Sequence, residues 1–134
     1  MWKALSGGTV YDLKIHLVLV TKYRYKVINR PILERLREIF TNTCSKWECE
    51  LIEFSGESDH VHLVISYHPK LSLDTFVGNL KTVSSRLIRK EFEEHVNRFY
   101  RKKVFWKIGY SVNSCGGASL DKIKEYVRGQ KVPD

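Results

Sequence analysis

The sequence predicts an α+β fold of the ferredoxin-like (RRM-like) kind, one antiparallel sheet with two helices on one face, plus a C-terminal helix. Three observations predict it. Segments of period-2 and period-3.6 hydrophobicity follow one another in the order β-α-β-β-α-β-α, which without the last helix is the split β-α-β pattern. Turn-forming residues, Gly56-Glu57-Ser58-Asp59, join the two central strands. Finally, 43% of the 134 residues are hydrophobic, with no run near the roughly 18 needed to span a bilayer, so the apolar residues are distributed as a core. Residues 1–134 are expected to form a single domain.

Each element has its own signal. Val10 to Thr21 is rich in β-branched residues and places Leu13, Ile15, Leu17 and Leu19 on one face of a strand. After the basic-aromatic connection Lys22-Tyr23-Arg24-Tyr25-Lys26, Pro31 suits the first turn of a helix. Ile32, Leu36, Ile39, Phe40, Thr43 and Trp47 then recur at helical spacing. Glu50 to Gly56 and His60 to Tyr67 predict two short strands. Ser72 is an expected N-cap for a second helix with the stripe Leu73, Phe76, Val77, Leu80, Val83, Leu87, Ile88 and Phe92. Phe105 to Val112 predicts a fourth strand. Gly116-Gly117 breaks the chain, and Ser119 begins a last helix through about Gln130.

Charge narrows the partner. Lys and Arg total 23 against 15 Asp and Glu, a net +8 and a pI near 9.5, which favours a polyanion bound in a salt-dependent way. Cys44, Cys49 and Cys115 are odd in number and lack Cys-x-x-Cys spacing, against a disulfide scaffold or a structural zinc knuckle. No signal-peptide core follows Met1-Trp2-Lys3, so a cytoplasmic protein without a membrane association is expected.

His60-Val61-His62 carries the first chemical signal. On a strand His60 and His62 share one face and Val61, Leu63 and Ile65 the other, so the two imidazoles project side by side at a separation that suits one metal ion. Such a pair is equally at home on an ordinary sheet surface. Asp59 could bind a metal, orient a ring, or simply form the turn. On the last helix Tyr126 and Gln130, the only glutamine, lie one turn apart on one face. Tyr126 also fits a half-buried aromatic anchoring a terminal helix beside Ile123 and Val127. A phenol with an ordinary pKa of about 10 is a poor nucleophile near neutrality without help. A divalent ion supplies that help on a phosphodiester. A tyrosine nucleophile would conserve the bond energy as phosphotyrosine, which suits strand transfer better than hydrolysis.

These stretches together resemble the small insertion-sequence transposases of the HUH superfamily, single-tyrosine type, over nearly the whole chain. The resemblance rests on His16 through Arg24 (HLVLVTKYR) and on Asp59 through Val64 (DHVHLV). It rests also on Leu80-Lys81 through Ser85-Arg86-Leu87 and on the ending Ile123 through Gln130. The family often has Pro before the Asp of the histidine pair, where this chain has Ser58. The resemblance implies that His60 and His62 are metal ligands, that Gln130 completes the site and that Tyr126 is the nucleophile. It further implies magnesium or manganese as cofactor, single-stranded DNA with hairpin ends as substrate, a 5′-phosphotyrosine intermediate, and a homodimer in which Gly116-Gly117 could act as a hinge.

The basic residues suit that substrate. Lys22, Tyr23 and Arg24 open a segment that interleaves cations with rings, as single-strand binding needs. Lys81, Arg86, Arg89 and Lys90 could track a hairpin stem, as could Arg98, Arg101, Lys102 and Lys103, although any one of these could be a solvated charge. Three other readings compete. An RNA-binding module of the same architecture would carry stacking aromatics where this sheet carries histidines. A histidine-motif nucleotide hydrolase would want a further histidine at Val64. A domesticated relative processing chromosomal repeat hairpins would use the same chemistry.

Overall fold

A computed structural model of the chain describes residues 2–115 together with Glu125 and Arg128. The predicted order holds through the fourth strand of the main sheet, with additions. A small hairpin, β1 (Lys3–Ala4) and β2 (Val10–Tyr11), precedes β3 (Leu13–Val20). A 3-10 turn (Lys22–Arg24) leads to α1 (Arg30–Lys46), β4 (Glu50–Gly56) and β5 (His60–Tyr67). Then come α2 (Leu73–Glu91), a short α3 (Glu93–Asn97) and β6 (Ser111–Ser114). The main sheet runs β4-β5-β3-β6 with every neighbour antiparallel, as the ferredoxin-like reading requires.

The core lies between one face of this sheet and the helices. Ile15, Leu17 and Leu19 of β3 and Val61, Leu63 and Ile65 of β5 are buried there against Ile32, Leu36 and Phe40 of α1 and Phe76, Val77 and Leu80 of α2. Asn29 caps α1 by accepting the Ile32 amide hydrogen at 3.0 Å, with Pro31 in the first turn where no amide hydrogen is needed. Arg35 and Glu91 join the two helices by paired bonds of 2.6 and 3.0 Å.

Four local expectations are corrected or refined. The run from Val10 is not one strand, because its first two residues pair with Lys3–Ala4 across a turn in which Gly7 and Gly8 take φ of +92° and +93°. Ser72 holds the N-cap position of α2 as expected, its carbonyl accepting from the Phe76 amide at 3.0 Å, but its hydroxyl donates to Thr75 Oγ1 and makes no cap bond with the backbone. The apolar stripe of α2 includes Ser84, fully buried, donating to the Leu80 carbonyl and accepting from Trp106 Nε1 at 2.9 Å. The fourth strand begins at Ser111, not Phe105. Phe105 and Trp106 turn into the core, Trp106 making a lone bridge to Thr21. Gly109 (φ +87°) then reverses the chain before pairing with β3 resumes.

A bulge in β4 settles which residues face away from the helices. Leu51 pairs with Ile65, but the register then shifts so that Glu53 pairs with Val64 and Phe54 with Leu63. Leu51 and Phe54, three apart, thus both face the core side, while Glu53 and Ser55 join the face of His62. At the end of β4, a Cβ on Gly56 would sit 2.8 Å from the His60 carbonyl oxygen and 2.9 Å from Leu33 Cδ1. Only a glycine lets the strand end pass between α1 and the start of β5.

Candidate active site

Strand alternation puts His60 and His62 on the sheet face opposite the helices, beside Val20 and Val18 in the β3 register. Their ring centroids are 5.0 Å apart, edge to face. His62 is 4% exposed, and Val64 and Ser66 further along the same face are also buried. The expectation from the His-x-His spacing is met: the two imidazoles are side by side and separated from the apolar set.

Each ring is held through Nδ1. For His60 the partner is Asp59 Oδ1 at 2.8 Å, and Arg24 Nε lies 3.5 Å from the other Asp59 oxygen. Burial pushes the Asp59 carboxyl upward, but the bonds and charges of His60 and Arg24 outweigh it and leave it below the ordinary carboxylate range. Of the three roles open to Asp59, the geometry gives it ring orientation. For His62 the partner is His16, whose Nε2 lies 2.8 Å from His62 Nδ1 with the rings stacked 5.1 Å apart. Burial pushes the His16 imidazole below its ordinary value, favouring its neutral form.

His16 is the residue that the sequence reading passed over. Its parity places it: with Ile15, Leu17 and Leu19 facing the helices, His16 must share the face of His60 and His62. What the sequence did not supply is the register, which sets His16 opposite Val64 and therefore diagonal to His62.

The residues fit a divalent metal. Both rings are held at Nδ1, which would leave Nε2 as the atom to ligate a metal, and the Glu57 carboxylate is 3.3 Å from His60 Nε2. Among the described residues no three His, Cys, Asp or Glu side chains form a complete metal-binding group. Tyr126 and Gln130, the expected nucleophile and third ligand, lie outside the described residues, as do Gly116, Gly117 and Ser119. Glu125 and Arg128 are helical, as expected of the last helix. Arg128 Nη2 lies 2.7 Å from Glu53 Oε2, which brings Arg128 to the sheet face that carries the histidines.

The basic residues divide. Lys22, Tyr23 and Arg24 form the exposed 3-10 turn beside Asp59. Arg86 and Arg89 gather with Arg101, Lys102 and Lys103 around a surface cleft of about 460 Å³, joining two clusters that are far apart in sequence. Lys81 is committed elsewhere, donating to the Lys107 and Gly109 carbonyls at 2.8 and 2.9 Å; burial and then the charge of Lys22 push its pKa down. Among the described residues no helix is long and apolar enough to cross a membrane.

Comparison with known proteins agrees with this geometry. Residues 9–130 match the family described as transposase, IS200 like. The transposase for insertion sequence element IS200 of Salmonella typhimurium is 29% identical over 126 residues, 94% of this chain and 82% of that protein. The ISDra2 transposase TnpA of Deinococcus radiodurans is 26% identical over 123 residues, covering 92% and 87%. A crystal structure from Deinococcus radiodurans, described as that of a transposase, superposes with a TM-score of 0.77 at 26% identity over 97% of this chain and 99% of that one. A REP-associated tyrosine transposase bound to a REP hairpin shares the fold alone, with a TM-score of 0.63 and 9% identity over 92% and 70%. With the match extending from the β1–β2 hairpin to the last helix, the chain belongs to the IS200-like transposase family.

Proposed function

We propose that this transposase cuts and rejoins single-stranded DNA at insertion-sequence ends through a 5′-phosphotyrosine on Tyr126, with magnesium or manganese held by His60, His62 and Gln130. The observation that carries the reading is the pair of imidazoles on one sheet face, each held through Nδ1, which would leave Nε2 as the atom to ligate a metal. A bound divalent ion would act as a Lewis acid on a nonbridging phosphate oxygen. Asp59 and His16 hold the two ligand rings in orientation, so little reorganisation accompanies binding. The Tyr126 oxygen forms a bond to phosphorus as the bond from phosphorus to the 3′ oxygen breaks. The phenol gives up its proton and the departing 3′ oxygen takes one up. The phosphotyrosine keeps the energy of the broken ester, so a 3′-hydroxyl can reverse the step and join a new strand.

Binding of hairpin-ended DNA is supported by the basic cleft at Arg86 and Arg89 and by the REP-associated transposase of like fold, which is bound to a hairpin. A homodimer is the proposed working unit, on the family resemblance. The test is incubation with single-stranded DNA carrying the element's own end hairpin, with and without manganese, followed by a search for a denaturant-resistant adduct. The expected adduct requires the metal and disappears in Tyr126→Phe and His62→Ala. Cleavage that survives Tyr126→Phe would mean hydrolysis by water, and binding without an adduct would remove the catalytic reading.

A further inference from the structure

Between the 3-10 turn and the segment Phe99 to Val104 lies a cleft of about 500 Å³, apart from the histidine face. Its lining includes the rings of Tyr23, Tyr25 and Tyr100 and the cations of Lys22, Arg101 and Lys102. Tyr23 and Tyr25 are 67% and 44% exposed, and their ring centroids are 5.3 Å apart. Tyr25 in turn stacks on Tyr100 at 5.6 Å, with the planes within 20°. Large exposed rings grouped in this way mark a binding surface more often than a packing accident.

The backbone under these rings is strained and firmly held. Tyr23 and Arg24, neither of them glycine, have φ of +61° and +54°. Left-handed conformations of this kind are costly for residues other than glycine and persist where the surroundings over-determine them. Here the Tyr100 hydroxyl donates to the Lys22 carbonyl at 2.7 Å, the Lys22 amide donates to the Phe105 carbonyl at 2.8 Å, and the Thr21 hydroxyl donates to the Tyr25 carbonyl at 2.7 Å. Strain kept in place by three hydrogen bonds, with the rings it presents left open to solvent, is a preorganised surface.

We propose that this cleft is a nucleobase pocket: it takes one unpaired base of single-stranded DNA onto the Tyr23 and Tyr25 rings, while Lys22, Arg101 and Lys102 hold the adjoining phosphates. A volume of this size suits a small-molecule-sized group, and pockets of about 300–1,000 Å³ hold such ligands. A base stacked within a duplex has no free face for these rings, so the pocket distinguishes unpaired nucleotides from a hairpin stem. Arg24 of the same turn reaches Asp59, so the captured base sits at a fixed offset from the histidine site. The choice of DNA over RNA rests on the strand-transfer reading; the base-stacking geometry does not.

The test measures anisotropy of a labelled deoxythymidine oligomer of about 10 nucleotides, a length within the usual single-strand site sizes. A matched oligomer with abasic sugars serves as comparison, and chelator is present so that nothing is cut. The wild-type chain is expected to bind the base-bearing strand about 5- to 100-fold more tightly than the abasic one. Tyr23→Ala and Tyr25→Ala should bring that ratio close to one with little change in salt dependence, and Tyr25→Phe should keep it. Arg101→Ala and Lys102→Ala should weaken both strands alike and flatten the salt dependence. Tyr23 is mostly exposed, so its variant keeps the test valid if Tyr25→Ala fails to fold. A ratio near one in the wild type, or an unchanged ratio in both folded tyrosine variants, would overturn the pocket. Base-dependent binding of a ribo-oligomer tighter than that of DNA would reassign it to RNA. Base-selective binding with no covalent adduct on the cognate hairpin would keep the pocket and remove the strand-transfer chemistry; an adduct with a ratio of one would do the reverse.

Discussion

Arg24 Nε lies 3.5 Å from one oxygen of Asp59, whose other oxygen is 2.8 Å from His60 Nδ1. One carboxylate therefore links the exposed basic turn to the His60 imidazole, a proposed metal ligand. Removing an orienting carboxylate typically lowers metal affinity about 10- to 100-fold. Asp59→Ala should show a loss of that order in manganese titration calorimetry at fixed pH. Arg24→Ala, acting only through Asp59, should show less. Unchanged affinity in Asp59→Ala would leave Asp59 as a turn residue and nothing more.

His16 should behave as a positioning residue for His62. With its proton on Nδ1, His62 would donate to His16 Nε2, and its Nε2 would be the atom to ligate the proposed ion. His16→Phe keeps the ring volume but removes the acceptor, so manganese affinity should fall about tenfold or more. The nitrogen shifts of the His62 ring in the metal-free protein should show mixed tautomers. His16→Gln, whose carbonyl can accept the same bond, should recover most of the affinity. A fall in melting temperature alone, with tautomer and affinity intact, would make His16 merely structural.

Lys81 and Arg86 lie on the same helix but should respond differently. Lys81 holds two carbonyls of the turn between Trp106 and β6. Lys81→Met should cost about 1 kcal/mol in urea unfolding and leave the salt dependence of DNA binding as it was. Arg86→Ala should do little to stability, weaken binding to all sequences alike, and reduce the salt slope by about 1. If Lys81→Met lowers that slope as much as Arg86→Ala does, the ammonium contacts phosphate after all.

The Arg35–Glu91 pair sets a pH dependence of modest size. The hydrogen bond from Arg35 is the main cause that holds the Glu91 carboxyl below its ordinary 4.5. A depressed acid contributes stability above its unfolded pKa and loses it as pH falls through the folded value. Both side chains are about one-third exposed, so solvent screening limits the pair to about 0.2–1 kcal/mol. Glu91→Gln should therefore be destabilised by that much at pH 7 in urea titrations. The difference should shrink toward zero as pH drops below 4.5. A constant difference down to low pH would point to lost packing in place of lost charge.

The alternation in β3 and β5 was enough to place the core and the histidine face, because burial on one side imposes a strict period of two. Pro31 likewise marked the start of α1 locally, while the Asn29 cap emerged only with the structure. The rest depended on contacts between distant segments. The β4 bulge cannot be read from Glu50 to Gly56, since only pairing with β5 reveals that Leu51 and Phe54 must share a side. The partnership of His16 with His62 needs a register across 46 residues. Lys81 looked like a phosphate contact because its carbonyl partners, at Lys107 and Gly109, belong to a stretch that reads as regular strand. Gly7-Gly8 is by contrast a local signal, and it marks the β1–β2 turn.

Gly56 has a consequence for how substitutions at this site would be interpreted. Any side chain there pushes on the His60 carbonyl on one side and on Leu33 on the other, forcing β5 and α1 apart. A saturation screen scored on transposition alone would therefore rank position 56 among the chemical groups, although it contributes none. Scoring abundance in parallel would identify the loss at position 56 as one of folded protein, because a wedge beneath β5 acts on packing.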